Sequence, residues 1–206
     1  MHLFSRRKEV ETQQPQNRKQ ALFRDFRDIL YILVIFLVIY ALFFRVVVVE
    51  GSSMNQTLVD GDRIFLITRT VYHNPKQGDI IVASKDSFRN GECIVKRVIA
   101  VAGQTVDIDF ENRIVYVDGQ PLEESYVFFR ADDQRPLIYE GTEFPLKVQE
   151  GCVFVMGDNR NASTDSRDPD IGQVDLREIL GRALFIMMPG TDGGKVAPDY
   201  SRIGGI

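Results

Sequence analysis

Three side chains far apart in the chain set the chemical question: the hydroxyl of Ser53, the amine of Lys96 and the hydroxyl of Ser163. Ser53 stands in Glu50-Gly51-Ser52-Ser53-Met54, just beyond a long apolar run. Lys96 has Cys93-Ile94-Val95 before it and Arg97-Val98-Ile99-Ala100-Val101 after it. Ser163 belongs to the polar stretch GDNRNASTDSR, residues 157–167. A hydroxyl, an amine among apolar neighbours and a second hydroxyl are what nucleophilic catalysis without histidine requires.

Histidine is scarce. There are two, His2 near the start and His73 in Tyr72-His73-Asn74-Pro75, where it reads as a turn residue. A Ser-His-Asp triad is therefore unsupported, and with one outer histidine and no paired Cys-x-x-Cys a zinc site is poorly supported. Lysine remains as the strong base. With an unperturbed pKa near 10.4, only about 4 in 10,000 lysines are neutral at pH 7, so a lysine base must be desolvated. Lowering that pKa by about 2 units costs roughly 2.7 kcal/mol, which an active site can hold. Each residue also has an ordinary reading by itself. Lys96 would be an edge or solvent-face lysine, Ser53 a turn serine, and Asp158, Asn159, Ser163, Asp165 and Arg167 parts of an Asx-rich loop.

The elements that would carry these residues begin with a membrane anchor. Ile29 to Phe44 holds no charge, and Val46 to Val49 extends it past Arg45. Sixteen residues at 1.5 Å each give about 24 Å, with flanking residues completing a bilayer core. A cleaved signal is the first alternative and a buried core helix the second. The long n-region and the absence of a small-x-small site in FFRVVVVEG favour an uncleaved anchor. Seven basic residues precede the span, whereas only Arg45 and Arg63 fall in the twenty residues after Phe44. The positive-inside rule puts the N-terminus in the cytoplasm and residues from 46 onward outside. The expected plan is a basic tail (1–28), a transmembrane helix (29–45), an outer β domain (46–190) with a probable insertion at 121–148, and a flexible tail (191–206).

Residues 1–28 carry seven basic against four acidic residues, leaving eighteen against twenty-five for the rest of the chain. An acidic outer domain has no footprint for nucleic acid. Its short Val-, Ile- and Phe-rich runs at 46–49, 63–68, 79–83, 93–101, 105–109, 113–117, 152–156 and 182–188 read as strands. Glu111-Asn112 reads as a hairpin turn, and Asp118-Gly119 closes the next run. Asp175 before LREIL predicts one short helix ended by Gly181. The fold class is mainly β, coiled or barrel-like. For Cys93 and Cys152, one disulfide and two separately buried thiols both fit. Tyr126, Phe128 and Phe129 either dip into lipid or close a satellite core.

From about Phe26 to Pro189 the chain resembles the type I signal peptidases, membrane-anchored Ser-Lys endopeptidases. The resemblance rests on Glu50 to Met54, Gly78-Asp79-Ile80-Ile81-Val82, Ile94-Val95-Lys96-Arg97 and Gly157 to Arg167, four boxes in order behind one apolar span. It implies a signal-peptidase-like β domain with Ser53 as nucleophile, Lys96 as general base and Ser163 holding the amine. Asp165 and Arg167 would form a supporting ion pair, with Asp158 in a structural turn. The Ser53 N–H would face the oxyanion; the second donor, in the Gly51 and Ser52 region, stays open because Gly51 stands where some members have a hydroxyl. Val49, Gly51, Ser52, Ile94 and Val95 would line an extended substrate with small residues at −1 and −3. The resemblance further implies a monomer in the bacterial cell membrane, acting on exported preproteins in contact with lipid, without metal or organic cofactor.

Two departures stand out. Gln56 replaces the family's proline three residues after the nucleophile, and Ala102-Gly103-Gln104 replaces a Pro-Gly-Asp turn. Losing both prolines frees two turns. A membrane-tethered β domain that binds peptides without cleaving them is the first rival. A self-cleaving Ser-Lys repressor is the second; it needs a DNA-binding module, and the acidic outer domain and the span disfavour it.

Overall fold

The computed structural model describes residues 16–206 except 86, 87, 89, 90 and 130–132. His2, Arg6, Arg7 and Lys8 of the basic tail lie outside the described residues. The chain divides into two units, Met1–Ala41 and Leu42–Ile206.

Helix α1 spans Gln16–Phe43. It begins well before residue 29, where the anchor was expected, and ends at Phe43, so Arg45 belongs to a strand. Its stretch Gln20–Phe43 has a mean hydropathy of 2.3 and none of the apolar window is buried. Twenty-four residues reach about 36 Å, enough to cross the roughly 30 Å of hydrocarbon.

Among the described residues twelve strands follow: β1 (Phe44–Val48), β2 (Arg63–Thr68), β3 (Ile80–Ser84), β4 (Cys93–Val101), β5 (Thr105–Asp109), β6 (Ile114–Val117), β7 (Gln120–Pro121), β8 (Leu146–Lys147), β9 (Cys152–Met156), β10 (Val174–Asp175), β11 (Ile179–Met188) and β12 (Gly204–Gly205). The larger sheet runs β1-β2-β11-β3-β4-β9-β10 with β12 beside β11; the smaller runs β7-β6-β5-β8. Every pairing is antiparallel. In β2 the period of two is clean: Ile64, Leu66 and Thr68 are buried, whereas Arg63, Phe65 and Ile67 face outward. On that outer face Phe65 stacks between Phe44 and Phe185, with ring centroids 5.1 and 4.9 Å apart.

Three apolar clusters hold the sheets. One joins Met54 and Leu58 of the loop carrying Ser53 to Ile64, Leu66, Val82 and Ile186. A second packs Ile99, Phe154 and Met156 on the smaller sheet, with Val106, Val115 and Leu137. A third gathers Ile81, Val98, Val155, Ile171 and Ile179 on the opposite face. The described residues among 121–148 are largely irregular and contribute Pro121 of β7, all of β8 and the buried Leu137.

Three expectations change. No helix follows Asp175: residues 176–178 form a turn into β11. Its capping signal is satisfied within that turn, since Asp175 Oδ1 accepts the Arg177 N–H (2.7 Å) and Glu178 Oε2 accepts the Asp175 N–H (3.0 Å). Gly181 serves strand packing, because a Cβ there would collide with the Ile67 carbonyl. Residues 191–206 are no loose tail: β12 pairs with β11, and Arg202 reaches the buried Asp62 at 2.7 Å.

The cysteines are both free thiols. Cys93 opens β4, whereas β9 meets the far end of that strand at Val101↔Val153. Some eight residues of extended chain, about 26 Å, separate the two, far beyond disulfide reach. Nor are both buried, since Cys93 is exposed.

Candidate active site

The nucleophile loop, the middle of β4 and the turn after β9 converge. Lys96 pairs with Ile81 of β3 and is 5% exposed. It is not an edge lysine: β3 covers one side of its strand, and β9 covers the other from Arg97 onward. Lys96 Nζ donates to Ser53 Oγ at 2.8 Å.

Ser53 is held by the turn that follows β9. Asn159 N–H donates to the Ser53 carbonyl and Asn159 Nδ2 to the Ser52 carbonyl, both at 3.0 Å. Gly157 explains how the turn comes so near, because a Cβ there would strike the Ser163 side chain and the Ser53 carbonyl. Ser163 Oγ donates to Asp165 Oδ2 at 2.8 Å, and Gly157 N–H to the same oxygen at 2.9 Å. The Gly51 N–H donates to Asp60 Oδ1 (2.7 Å). Ser53 N–H has no acceptor among the described residues.

Two buried ion pairs brace this corner. Arg167 and Asp165, both 0% exposed, meet at 2.8 and 2.9 Å. Burial alone would push the Asp165 carboxyl up, but the Arg167 charge and its hydrogen bonds hold it below its ordinary range; the Lys96 charge adds to that. Arg97 grips Asp158 through Nε (2.8 Å) and Nη2 (2.6 Å), and Thr57 Oγ1 donates to Asp158 Oδ2 at 2.5 Å. Asp158 thus ties the residue next to Lys96 to the loop of Ser53. The Tyr126 ring lies under the Arg97 guanidinium, 3.9 Å from its carbon, and burial pushes the Tyr126 hydroxyl up. Phe129 packs on the second core cluster beneath Arg113. Phe129 thus joins a core, whereas Phe128 lines a separate groove with Ser52 and Asn55.

The sequence reading singled out Ser53, Lys96, Ser163, Asp158, Asp165 and Arg167, and the structure gathers them. It missed the supporting roles of Thr57 and Arg97, and gave Asn159 only as a structural turn residue beside Asp158. Arg97 and Asn159 each adjoin a residue already named, which was the available signal. The departure at 102–104 is closed by its own side chain, Gln104 Oε1 accepting the Val101 N–H at 3.0 Å.

A cleft of about 400 Å³ opens over Ser53 and Lys96, and Val49, Gly51, Ser52, Ile94 and Val95 all line it.

Behind Asp165, Glu140 is half-buried, with Oε2 buried and unpartnered among the described residues. Burial, then the Asp165 charge, pushes its carboxyl from 4.5 up to about 7. Between those values the unfolded chain ionises while the folded protein keeps the proton, so stability falls as pH rises and levels off above the folded value. Glu140→Gln is expected to exceed wild type in stability at pH 8 by roughly 1 kcal/mol after allowance for solvent screening, and to show no advantage at pH 4. Urea melts at the two pH values read this directly.

A hydroxyl touching a buried amine in an open cleft has the geometry that histidine-free nucleophilic hydrolysis calls for. The chain belongs to the signal peptidase family, peptidase S26, whose model matches residues 22–188. A signal peptidase I of Bacillus licheniformis is 34% identical over 176 residues, covering 84% of this chain and 92% of that one. A probable signal peptidase I-1 of Synechocystis sp. is 38% identical over 156 residues, covering 72% and 73%. Signal peptidase I T of Bacillus subtilis is 32% identical over 187 residues, covering 88% and 94%. A crystal structure of a signal peptidase I from Enterococcus faecalis V583 is 32% identical with a TM-score of 0.42, covering 53% of this chain and 96% of that one.

Proposed function

We propose that this protein is a membrane-anchored serine endopeptidase that removes signal peptides from exported preproteins by a Ser53–Lys96 dyad. The observation that carries the reading is the 2.8 Å contact from Lys96 Nζ to Ser53 Oγ at the floor of the cleft. Ser53 Oγ attacks the scissile carbonyl as Lys96 takes its proton; Lys96 then protonates the leaving amine, and water hydrolyses the ester at Ser53. The Ser53 N–H supplies one donor to the developing oxyanion. Ser163, whose hydroxyl is fixed by Asp165, is the polar partner that orients the amine.

The substrate segment before the scissile bond is extended. It lies between β1 and the start of β4, where Val47, Val48, Cys93, Ile94 and Val95 line the same cleft. Small residues at −1 and −3 suit that narrow approach, and the enzyme works as a monomer. The exposed Val46, Val48, Met187 and Met188, beside the aromatic stack, form an apolar face that rests on lipid.

The deciding experiment offers a preprotein with a small-x-small site to the wild type and to Ser53→Ala. Wild type is expected to cut once at that site, and Ser53→Ala to lose at least about 10³-fold in rate. Equal cleavage by both would remove Ser53 from the chemistry.

The basic residues ahead of the span support a cytoplasmic N-terminus and an outer catalytic domain. Protease added to intact spheroplasts is expected to digest residues 46–206. Protection of that region would reverse the orientation.

A further inference from the structure

The loop from Val49 to Asp62 leaves the sheet and returns to it at one neck. Val49 N–H donates to the Asp62 carbonyl (2.8 Å), and Gly61 N–H to the Val49 carbonyl (2.9 Å). Ser53 lies on the excursion between them. At the neck the Asp62 side chain is fully buried and accepts the Val59 N–H (2.8 Å) and the Gly190 N–H (2.7 Å). A carboxylate so placed needs a cation. Arg202 supplies it in a fork, Nη1 to Oδ1 at 3.0 Å and Nη2 to Oδ2 at 2.7 Å. The same Nη2 donates to the Thr57 carbonyl at 3.1 Å, so one guanidinium holds the returning limb at two points.

A second strut runs alongside. Asp60 Oδ1 accepts the Gly51 N–H (2.7 Å), while its carbonyl accepts the Asp192 N–H (3.0 Å). Gly190 lets the chain pass this closely, because a Cβ there would strike the Asp60 carbonyl and the Asp62 amide. Pairing of β12 with β11 anchors the segment just beyond Arg202. Gly190, Asp192 and Arg202 lie past residue 188, where the family match ends.

We propose that residues 189–206 are a clamp on the nucleophile loop, with Arg202 as a positioning residue that acts through Asp62 and Thr57 to set Ser53 against Lys96. This rests on the reading of Ser53 as the nucleophile. Two measurements on the full chain separate the two claims. In amide hydrogen exchange, Arg202→Ala is expected to speed exchange at Gly51 and Leu58 while leaving the β4–β9 ladder as in wild type. With a preprotein substrate, its kcat is expected to fall roughly ten- to hundredfold with KM changed less than about threefold, as for a misplaced reacting group. Arg202→Lys, which keeps the charge without the fork, is expected to retain an intermediate rate. Guanidinium ion at low, non-denaturing concentration is expected to restore Arg202→Ala and to do nothing for Ser53→Ala. Arg177→Ala, which breaks an exposed pair with Asp175, serves as the control and behaves as wild type.

The clamp is refuted if Arg202→Ala keeps the wild-type kcat, if exchange rises equally throughout the domain, or if the lost rate matches the unfolded fraction. If the wild type cleaves nothing, the functional reading fails, and the exchange comparison still decides whether Arg202 closes the neck.

Discussion

Lys96→Arg is expected to abolish preprotein cleavage while leaving the fold in place. Arginine keeps the positive charge and much of the length, so a purely electrostatic or packing role for Lys96 would survive the exchange. A guanidinium does not give up its proton in a protein, so a role as general base would not survive. General acid–base catalysis contributes roughly 10²- to 10⁴-fold, and Lys96 would act in both attack and leaving-group protonation, so a loss near the upper figure is expected. Lys96→Ala should lose as much, and the wild-type rate should rise toward alkaline pH as the amine sheds its proton. The structure bears on the choice of variant. Lys96 is buried in an interior strand with Ser53 Oγ 2.8 Å from its amine, so arginine's greater bulk must be accommodated. Circular dichroism and thermal melts establish whether it is. A folded Lys96→Arg enzyme turning over at the wild-type rate would remove Lys96 from the mechanism and make His73 the next base to test.

What the sequence revealed depended on how local each signal was. Alternation in Arg63 to Thr68 and the apolar run through Lys96 placed β2 and β4 with their observed bounds, because a two-residue period reports burial on one face directly. The short boxes around Ser53, Lys96 and Ser163 were legible through their resemblance to a family. Elsewhere local signals misled. Asp175 does cap, yet the chain takes only one turn, because Ile179 is needed opposite Ala83 in the sheet. Tertiary pairing there overrode a helix-start signal. The Gly-rich end, with Gly193-Gly194 and Gly204-Gly205, reads as loose. Its order comes from a partner 140 positions away, Asp62 bonded to Arg202. No window along the chain contains that contact, nor the one between Thr57 and Asp158.

Asp165→Asn carries the largest expected cost in stability. The substitution keeps the shape of the side chain and removes its charge. Asp165 and Arg167 are both wholly buried, and the carboxylate also receives the Gly157 N–H and the Ser163 hydroxyl. Removing one partner of such a pair strands the other charge in the interior, which costs about 3–5 kcal/mol. For a domain of this size that corresponds to a fall in Tm on the order of 10 °C. Acid sharpens the test. The Asp165 carboxyl is held below its ordinary range in the folded protein, so its contribution is present above the unfolded value near 3.9 and disappears as pH falls further. Wild type should therefore shed stability in acid that Asp165→Asn never had, and the two melting curves should draw together below about pH 4. Activity should fall as well, since an amide NH2 must replace one of the two carboxylate oxygens that accept from Ser163, Gly157 and Arg167. A gap in Tm that stays constant from pH 7 to pH 3 would show that the charge on Asp165 is not what holds this corner.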